Sequence, residues 1–314
     1  MSSIHAIVVD PEALGRLAIK EVAAPQAGPS EALVQVEAIS LNRGEVLAAM
    51  HAEAGWRPGW DLAGTVIKQA ANGTGPKAES RVLGSVPTGS WAEQVAVPTN
   101  RLAELPASVT FAQAATLPTA GLTAFRALQQ GGLLLNKHVL ITGSTGGVGR
   151  FALQLASRSS AYVVGTVRHA RHEEVVREAG ADEVIVGDDL ASARASGPYH
   201  LIIDLVGGKT LESAIPRLST GGICVIVGWS ASSSATIDFG ALIRTGRVTL
   251  YVLNMYAEFD SRPRSEDLAW LAQLVAKKQL QTPIEAEASW HDIGEVAQRL
   301  LQRQFTGKAV LHLA

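Results

Sequence analysis

Lys137 to Gln154, KHVLITGSTGGVGRFALQ, is the stretch from which the rest of this 314-residue chain is read. An apolar run gives way to glycines at 143, 146, 147 and 149, and then to apolar residues at helical spacing. The pattern predicts a strand, a turn and a helix start, with side chains removed where the first helical turn leaves its N–H groups without carbonyl partners. Such a turn suits a phosphate. The spacing is GxxGxxG, a short motif, so the flanking chain has to agree with it before it means more.

Length allows two domains of roughly 150 residues each. No apolar run reaches the ~20 residues of a membrane span, and the first ten residues, MSSIHAIVVD, lack the basic and apolar regions of a secretory leader, so a cytoplasmic protein without a membrane partner is expected. A formal net charge of −2 with no long run of one sign gives no footprint for nucleic acid. The single cysteine, Cys224, excludes intrachain disulfides and cysteine-cluster zinc sites; inside GGICVIVG it reads as a small core hydrophobe. No HExxH occurs, and His51 with Glu53 reads as a solvated loop pair, so no metal site is expected.

The first hundred residues carry short apolar runs (IHAIVV, ALVQVEAI, AGTVI, RVLGSV, WAEQVAV) separated by Pro and Gly clusters, which predicts a compact β unit. LPTAGLTAFRALQQG, from Leu117, has helical spacing and ends in glycines. From Lys137 the chain alternates strands (HVLIT, AYVVGTV, DEVIV, HLIIDLVGG, GGICVIVGW, RVTLYVL) with helices such as HEEVVREAG and LESAIPRLS. Strands flanked by helices form a mostly parallel, doubly wound sheet. Its ligand rim would hold Thr142 to Gly149, Thr166 to Arg168, Val206-Gly207 and Val227 to Ser230. In the tail, SEDLAWLAQLVAKKQ predicts a helix capped at Ser265, IEAEASW and GKAVLHLA are strand-like, and too little remains for an independent core. The tail is therefore expected to pack back on the β unit.

Six segments, LNRGE at 41–45, GWDLAGTV at 59–66, AAxLPxxxxTAxxAL at 114–128, the glycine stretch, DLVGG at 204–208 and GKAVL at 307–311, occur in the order found in one family. The chain resembles the zinc-independent quinone oxidoreductase branch of the medium-chain dehydrogenase/reductase superfamily over essentially its whole length. The resemblance implies an α/β fold: a Rossmann doubly wound parallel sheet at 119–252, inserted in a GroES-like mainly-β catalytic domain at 1–118 and 253–314. It also implies NADPH as hydride donor, a quinone or enone as small-molecule substrate, and a homodimer through the Rossmann sheet edge. Zinc-dependent relatives keep a Cys and a Gly-His-Glu where this chain has Asn42 to Glu45 and Gly59-Trp60-Asp61. Without a Lewis acid, oxidation of simple alcohols is hard to explain, and reduction of an already polarised acceptor is easy.

About twenty residues beyond the glycine turn, where NAD enzymes place an acidic residue for the ribose diol, this chain has Thr166, Arg168, His169 and Arg171, with no carboxylate before Glu173. Two guanidinium groups suit a 2′-phosphate, so NADPH is expected. His172 and Gly187 stand where the family commonly has a lysine and a tyrosine, which weakens that preference. The resemblance places Asn42 and Thr123 beside the nicotinamide; they could instead be a turn residue and a helix-interior hydroxyl. Trp229 is expected to line the site or pack in the core, and Asp61 reads as structural. Lys308 reads either as a site contact or as a surface lysine. The expected cofactor contacts are Thr123, Ser144, Thr145, Gly146, Gly147, Val148, Thr166, Arg168, His169, Arg171, Val206, Gly207, Val227, Gly228, Trp229, Leu253, Asn254 and Lys308, with Asn42, Thr123 and Trp229 as the residues nearest the chemistry. No YxxxK motif is present and no general acid is evident, so the proton is expected from solvent. An enoyl-thioester reductase and a non-catalytic NADPH-binding redox sensor are the alternatives.

Overall fold

The computed structural model describes residues 2–187, 190, 197–255, 257 and 263–313. They form two compact units, 1–122 with 256–314 and 123–255.

The second unit is built on six parallel strands in the spatial order Glu183–Val186, Tyr162–Val167, His138–Ile141, Tyr199–Asp204, Leu218–Ile226, Thr249–Val252. The chain enters at His138–Ile141 near the middle, winds outward, then crosses back and winds out the other way. Helices Gly147–Arg158, Glu173–Glu178, Gly208–Ala214 and Phe239–Thr245 alternate with the strands. Burial on both faces requires near-continuous apolar runs, and Val139, Leu140, Ile141, Leu201, Ile202, Ile203 and Val225 are fully buried. The winding direction reverses between His138–Ile141 and Tyr199–Asp204. In open α/β sheets that switch point, at the carboxyl ends of the strands, is where ligands bind.

The first unit has a seven-stranded sheet ordered Ile284–Ser289, Lys308–His312, Glu31–Leu41, Asp61–Lys68, Arg81–Ser85, Leu102–Glu104, with Gln94–Pro98 pairing beside Glu31–Leu41, and a separate hairpin of Ser3–Val9 and Leu17–Ala23. Both tail strands are members of this sheet: Ala309 pairs with Leu41, and Ile284–Ser289 lies parallel to Lys308–His312. Gly64 sits where an added Cβ would come within 2.0 Å of the Gln35 carbonyl oxygen, next to a register shift between Val36 and Ala38, so only glycine admits that approach. The register brings the end of Glu31–Leu41, the start of Asp61–Lys68 and the start of Lys308–His312 to one corner.

Two local expectations change. The helix expected from Leu117 is broken: a π-helical turn over Leu117–Gly121, with Pro118 unable to donate a backbone hydrogen bond, precedes an α-helix at Leu122–Gln129. Ser265 is the first residue of helix Ser265–Ala276 rather than its cap, because Arg264 ahead of it is already in the αR region and makes no side-chain cap bond. Among the described residues no helix is long and apolar enough to cross a membrane.

Cys224 is fully buried in the strand Leu218–Ile226, and burial, with the Asp204 charge, pushes its thiol well above the usual range. A thiol reagent is expected to leave Cys224 unmodified in the native protein and to modify it on unfolding. Cys224→Ser should cost ~1–3 kcal/mol by burying an unpaired hydroxyl, read by urea denaturation.

Candidate active site

The glycine turn of the second unit is braced by hydroxyls. Ser144 Oγ donates to the Ile141 carbonyl at 2.7 Å and accepts from the Thr166 N–H at 3.0 Å, while Thr166 Oγ1 accepts from the Gly143 N–H at 3.3 Å. Ser144 and Thr166 thus lock the turn onto the neighbouring strand before any ligand arrives. Gly146 caps the helix Gly147–Arg158, and Thr145, Gly147 and Val148 are half-buried around its first turn. A Cβ on Gly149 would lie 2.5 Å from the Gly143 carbonyl oxygen and 2.7 Å from Ser144 Cα, so bare backbone is required there. The first-turn N–H groups lack intrahelical acceptors, which with the helix dipole suits this turn to a phosphate.

Asp204 draws the next strand end to the same rim. Its Oδ1 accepts from Thr142 Oγ1 at 2.7 Å and its Oδ2 from the Gly207 N–H at 2.8 Å, while Thr142 Oγ1 accepts from the Leu205 N–H. Burial raises the Asp204 pKa, and these donors oppose the rise. Val206 and Gly207 are held in place by this carboxylate, with Gly207 at φ +73 and no room for a Cβ against the Ser232 carbonyl. Val227 and Gly228 both donate to the Asp204 carbonyl, and the Leu253 N–H donates to Ile226. Trp229 follows at 67% exposure, so its indole is a surface group of this unit; Asn254 is also exposed.

Beyond the end of strand Tyr162–Val167, Arg168, His169 and Arg171 are exposed. Arg171 Nε donates to His172 Nε2 at 3.2 Å, which requires that nitrogen unprotonated. Burial, followed by the charges of Arg171 and His169, lowers the His172 pKa and keeps the ring neutral as that acceptor. Glu173, the nearest carboxylate in sequence, lies 4.0 Å from Arg177 one turn along its own helix.

The corner of the first unit holds a buried polar network. Asn42 caps the helix Arg43–His51, and Glu45 in its first turn reaches back so that Oε1 accepts from the Asn42 N–H at 2.6 Å and from Asn42 Nδ2 at 3.0 Å. Glu45 Oε2 accepts from the Trp60 N–H at 2.7 Å. Asn42 Nδ2 also donates to Asp61 Oδ2 at 2.8 Å, and Thr119 Oγ1 donates to Asp61 Oδ1 at 2.5 Å. Lys308 Nζ donates to Asn42 Oδ1 at 2.6 Å and to the Leu41 carbonyl at 2.8 Å, and lies 3.8 Å from Asp61 Oδ2. Glu45 and Asp61 are fully buried and Lys308 is 3% exposed. Burial, then the Asp61 charge, pushes the Glu45 pKa up to about 8, against Lys308 and the Asn42 donors. Burial raises Asp61 and lowers Lys308, each opposed by its oppositely charged neighbours.

Residues 147–277 match the family described as zinc-binding dehydrogenase, and residues 28–107 match the alcohol dehydrogenase GroES-like domain. The chain is 29% identical over 313 residues to a chloroplastic quinone oxidoreductase of Triphysaria versicolor, covering 93% of this chain and 92% of that protein. The quinone oxidoreductase of Coxiella burnetii has the same fold, with a TM-score of 0.84 at 24% identity and all of both chains covered. This chain belongs to the medium-chain dehydrogenase/reductase superfamily, among its quinone oxidoreductase-like members. A mycobacterial protein solved in complex with NADPH shares the fold too, with a TM-score of 0.86 at 24% identity, covering 98% of this chain and 99% of that one.

The side chains at this corner offer a zinc ion neither thiolate nor imidazole. Asn42 and Asp61 offer oxygens, Trp60 offers none, and the Lys308 ammonium already lies among them, so a zinc ion does not fit these residues. Lys308 is not a surface lysine; its ammonium is committed to the network. Asn42 is more than a turn residue, since both its amide atoms are engaged. Thr123 is buried in helix Leu122–Gln129, and it is Thr119, four residues earlier, whose hydroxyl joins the network. Sequence reasoning passed over Glu45 and Thr119. Asn42-x-x-Glu45 is a capping-box spacing that pointed to the first, whereas nothing local to Leu117–Gly121 marked the second.

Lys308→Met leaves two buried carboxylates without their nearest cation. It should destabilise the protein by ~3–5 kcal/mol in urea denaturation, and a change under 1 kcal/mol would mean the ion cluster is not intact in solution.

Proposed function

We propose that this chain is an NADPH-dependent oxidoreductase that transfers hydride to a quinone or an α,β-unsaturated carbonyl without zinc. The observation that carries the cofactor choice is the end of strand Tyr162–Val167, where Arg168, His169 and Arg171 are exposed and the nearest carboxylate, Glu173, is turned towards Arg177. A 2′-phosphate gains charge-assisted hydrogen bonds from guanidinium groups there, and a ribose diol finds no acidic acceptor. The residues fit the dinucleotide: Gly146 to Val148 would cradle the pyrophosphate, and Val206, Gly207, Val227 and Gly228 would give the rim a backbone surface. When bound, NADPH supplies the hydride; the chain's own part is to orient it and exclude water. Zinc independence is supported by the oxygen-and-ammonium corner around Lys308, and an acceptor that is already polarised needs no Lewis acid. The one buried thiol, with no disulfide possible in the chain, accords with a cytoplasmic enzyme.

We further propose a homodimer through the edge strand Thr249–Val252 of the second unit. That edge carries Val252 at 70% exposure, and the preceding helix exposes Phe239 at 70% and Ile243 at 80%. Apolar residues at an open sheet edge favour strand addition by a second copy.

Two experiments test these readings. NADPH oxidation should proceed with 9,10-phenanthrenequinone or a simple enone, and Arg168→Gln should raise the dissociation constant for NADPH by about 10-fold or more while leaving that for NADH nearly unchanged. Equal affinity of the wild type for NADH and NADPH would overturn the cofactor choice. Light scattering should give a dimer for the wild type and a monomer for Ile243→Glu with Val252→Arg; a wild-type monomer at micromolar concentration refutes the dimer.

A further inference from the structure

Just beyond strand Tyr162–Val167 the second unit carries two arginines and two histidines in close succession, Arg168, His169, Arg171 and His172. Arg168, His169 and Arg171 are exposed, whereas His172 is half-buried, its ring centroid 6.4 Å from that of His169. A neutral imidazole carries one proton, and a ring that accepts at Nε2 carries it on Nδ1. His172 accepts at Nε2, from Arg171 Nε at 3.2 Å. The nitrogen that would take a second proton is therefore the one that holds the guanidinium. Protonation of His172 and its bond to Arg171 exclude each other, because an N–H cannot accept. A guanidinium grips a phosphate through paired, parallel N–H groups, and the edge formed by Nε and one Nη is such a pair. While Nε is given to His172, that edge of Arg171 is closed.

We propose that His172 is a proton-operated catch on Arg171: neutral, it holds the Arg171 Nε–H, and protonated, it releases that group to the 2′-phosphate of NADPH. NADPH binding then takes up a proton, and the preference for NADPH over NADH strengthens as pH falls. This rests on the cofactor choice proposed above. The arriving phosphate carries close to two negative charges near neutral pH, and a negative charge beside an imidazole favours its protonated form. The proton comes from solvent and settles on His172 Nε2, and the Arg171 Nε–H moves from that nitrogen to a phosphate oxygen. NADH, with a hydroxyl in place of the phosphate, brings no charge here and leaves His172 neutral. His172 is a positioning residue in this scheme, since it acts on the phosphate through Arg171.

Among the described residues the charges acting on the His172 ring are both cationic, Arg171 beside it and His169 three residues earlier. The neighbouring elements contribute Arg168 from the end of strand Tyr162–Val167, Glu173 and Glu174 from the first turn of helix Glu173–Glu178, and Glu183 from the far end of strand Glu183–Val186. Glu173 lies 4.0 Å from Arg177. Burial first, then Arg171 and His169, hold His172 below the ordinary histidine pKa, so the unliganded ring is neutral at neutral pH. A bound phosphate raises that pKa. The added affinity is absent above the liganded pKa, appears as pH falls through it, and is complete below the unliganded pKa.

Binding titrations and histidine NMR read the catch without turnover. From roughly pH 8 to roughly pH 6, across the ordinary histidine pKa of ~6.5, the ratio of the NADH to the NADPH dissociation constant should rise about 5-fold more in the wild type than in His172→Gln. The glutamine oxygen still accepts from Arg171 but takes no proton. Both proteins meet the same ligand at each pH, so the phosphate's own titration cancels in the comparison. His172→Lys, a cation throughout this range with no acceptor, should prefer NADPH at both ends and follow pH no more steeply than His172→Gln. By NMR, the His172 pKa should rise on binding NADPH or adenosine 2′,5′-bisphosphate and stay in place with NADH. Equal pH dependence in the wild type and His172→Gln, or a His172 pKa that NADPH leaves unmoved, overturns the catch while an NADPH preference still stands. A wild type that prefers NADPH at neither end of the range overturns the cofactor choice and the catch together.

Discussion

The Asn42 side chain is the interaction on which the buried polar corner of the first unit depends. One amide donates to Glu45 and to Asp61 and accepts from Lys308, so it joins two buried acids and a buried ammonium in one network. Ion clusters of this kind rarely add stability over a well-packed apolar core, because desolvation offsets much of the attraction. Their value lies in geometry and charge state. Here the arrangement fixes Glu45 behind three N–H donors and leaves Asp61 in contact with a hydroxyl, so two identical functional groups become chemically different.

The second unit uses hydroxyls and one carboxylate for a different end. Ser144, Thr166, Thr142 and Asp204 spend their hydrogen bonds on the backbone of the rim and, for Thr142 and Asp204, on each other. The loops at the switch point of the sheet are thereby held open as preorganised backbone, and the ordering cost of binding falls. The glycines at 149 and 207 serve the same purpose by exclusion, since a side chain at either would collide with a carbonyl oxygen. The cationic residues that follow strand Tyr162–Val167 stay exposed, and there Arg171 donates to His172, whose pKa burial lowers.

Much of this could be read from residues alone, and the reason differs from case to case. The six strands of the second unit were legible because a sheet buried on both faces writes itself as apolar runs, and the glycine turn because backbone geometry dictates glycine. The Arg168 to His172 segment was legible because an absent carboxylate is visible without coordinates. The π turn at Leu117–Gly121 was not, since the apolar spacing of a broken helix resembles that of a continuous one. Ser265 misled for a related reason: a serine before an apolar run reads as a cap, and the backbone of Arg264 was already helical.

Local periodicity and backbone sterics therefore let the sequence by itself determine the two-unit plan, the parallel sheet and its phosphate turn, because each depends on neighbours within a few residues. The tertiary structure alone decided the buried cluster, since Asn42, Asp61, Thr119 and Lys308 are far apart in the chain and meet only where three strand ends converge. It also decided that Lys308 is a core cation. Charge and proton affinity are set by burial and by the partners brought within hydrogen-bonding distance, and no spacing in the sequence encodes either.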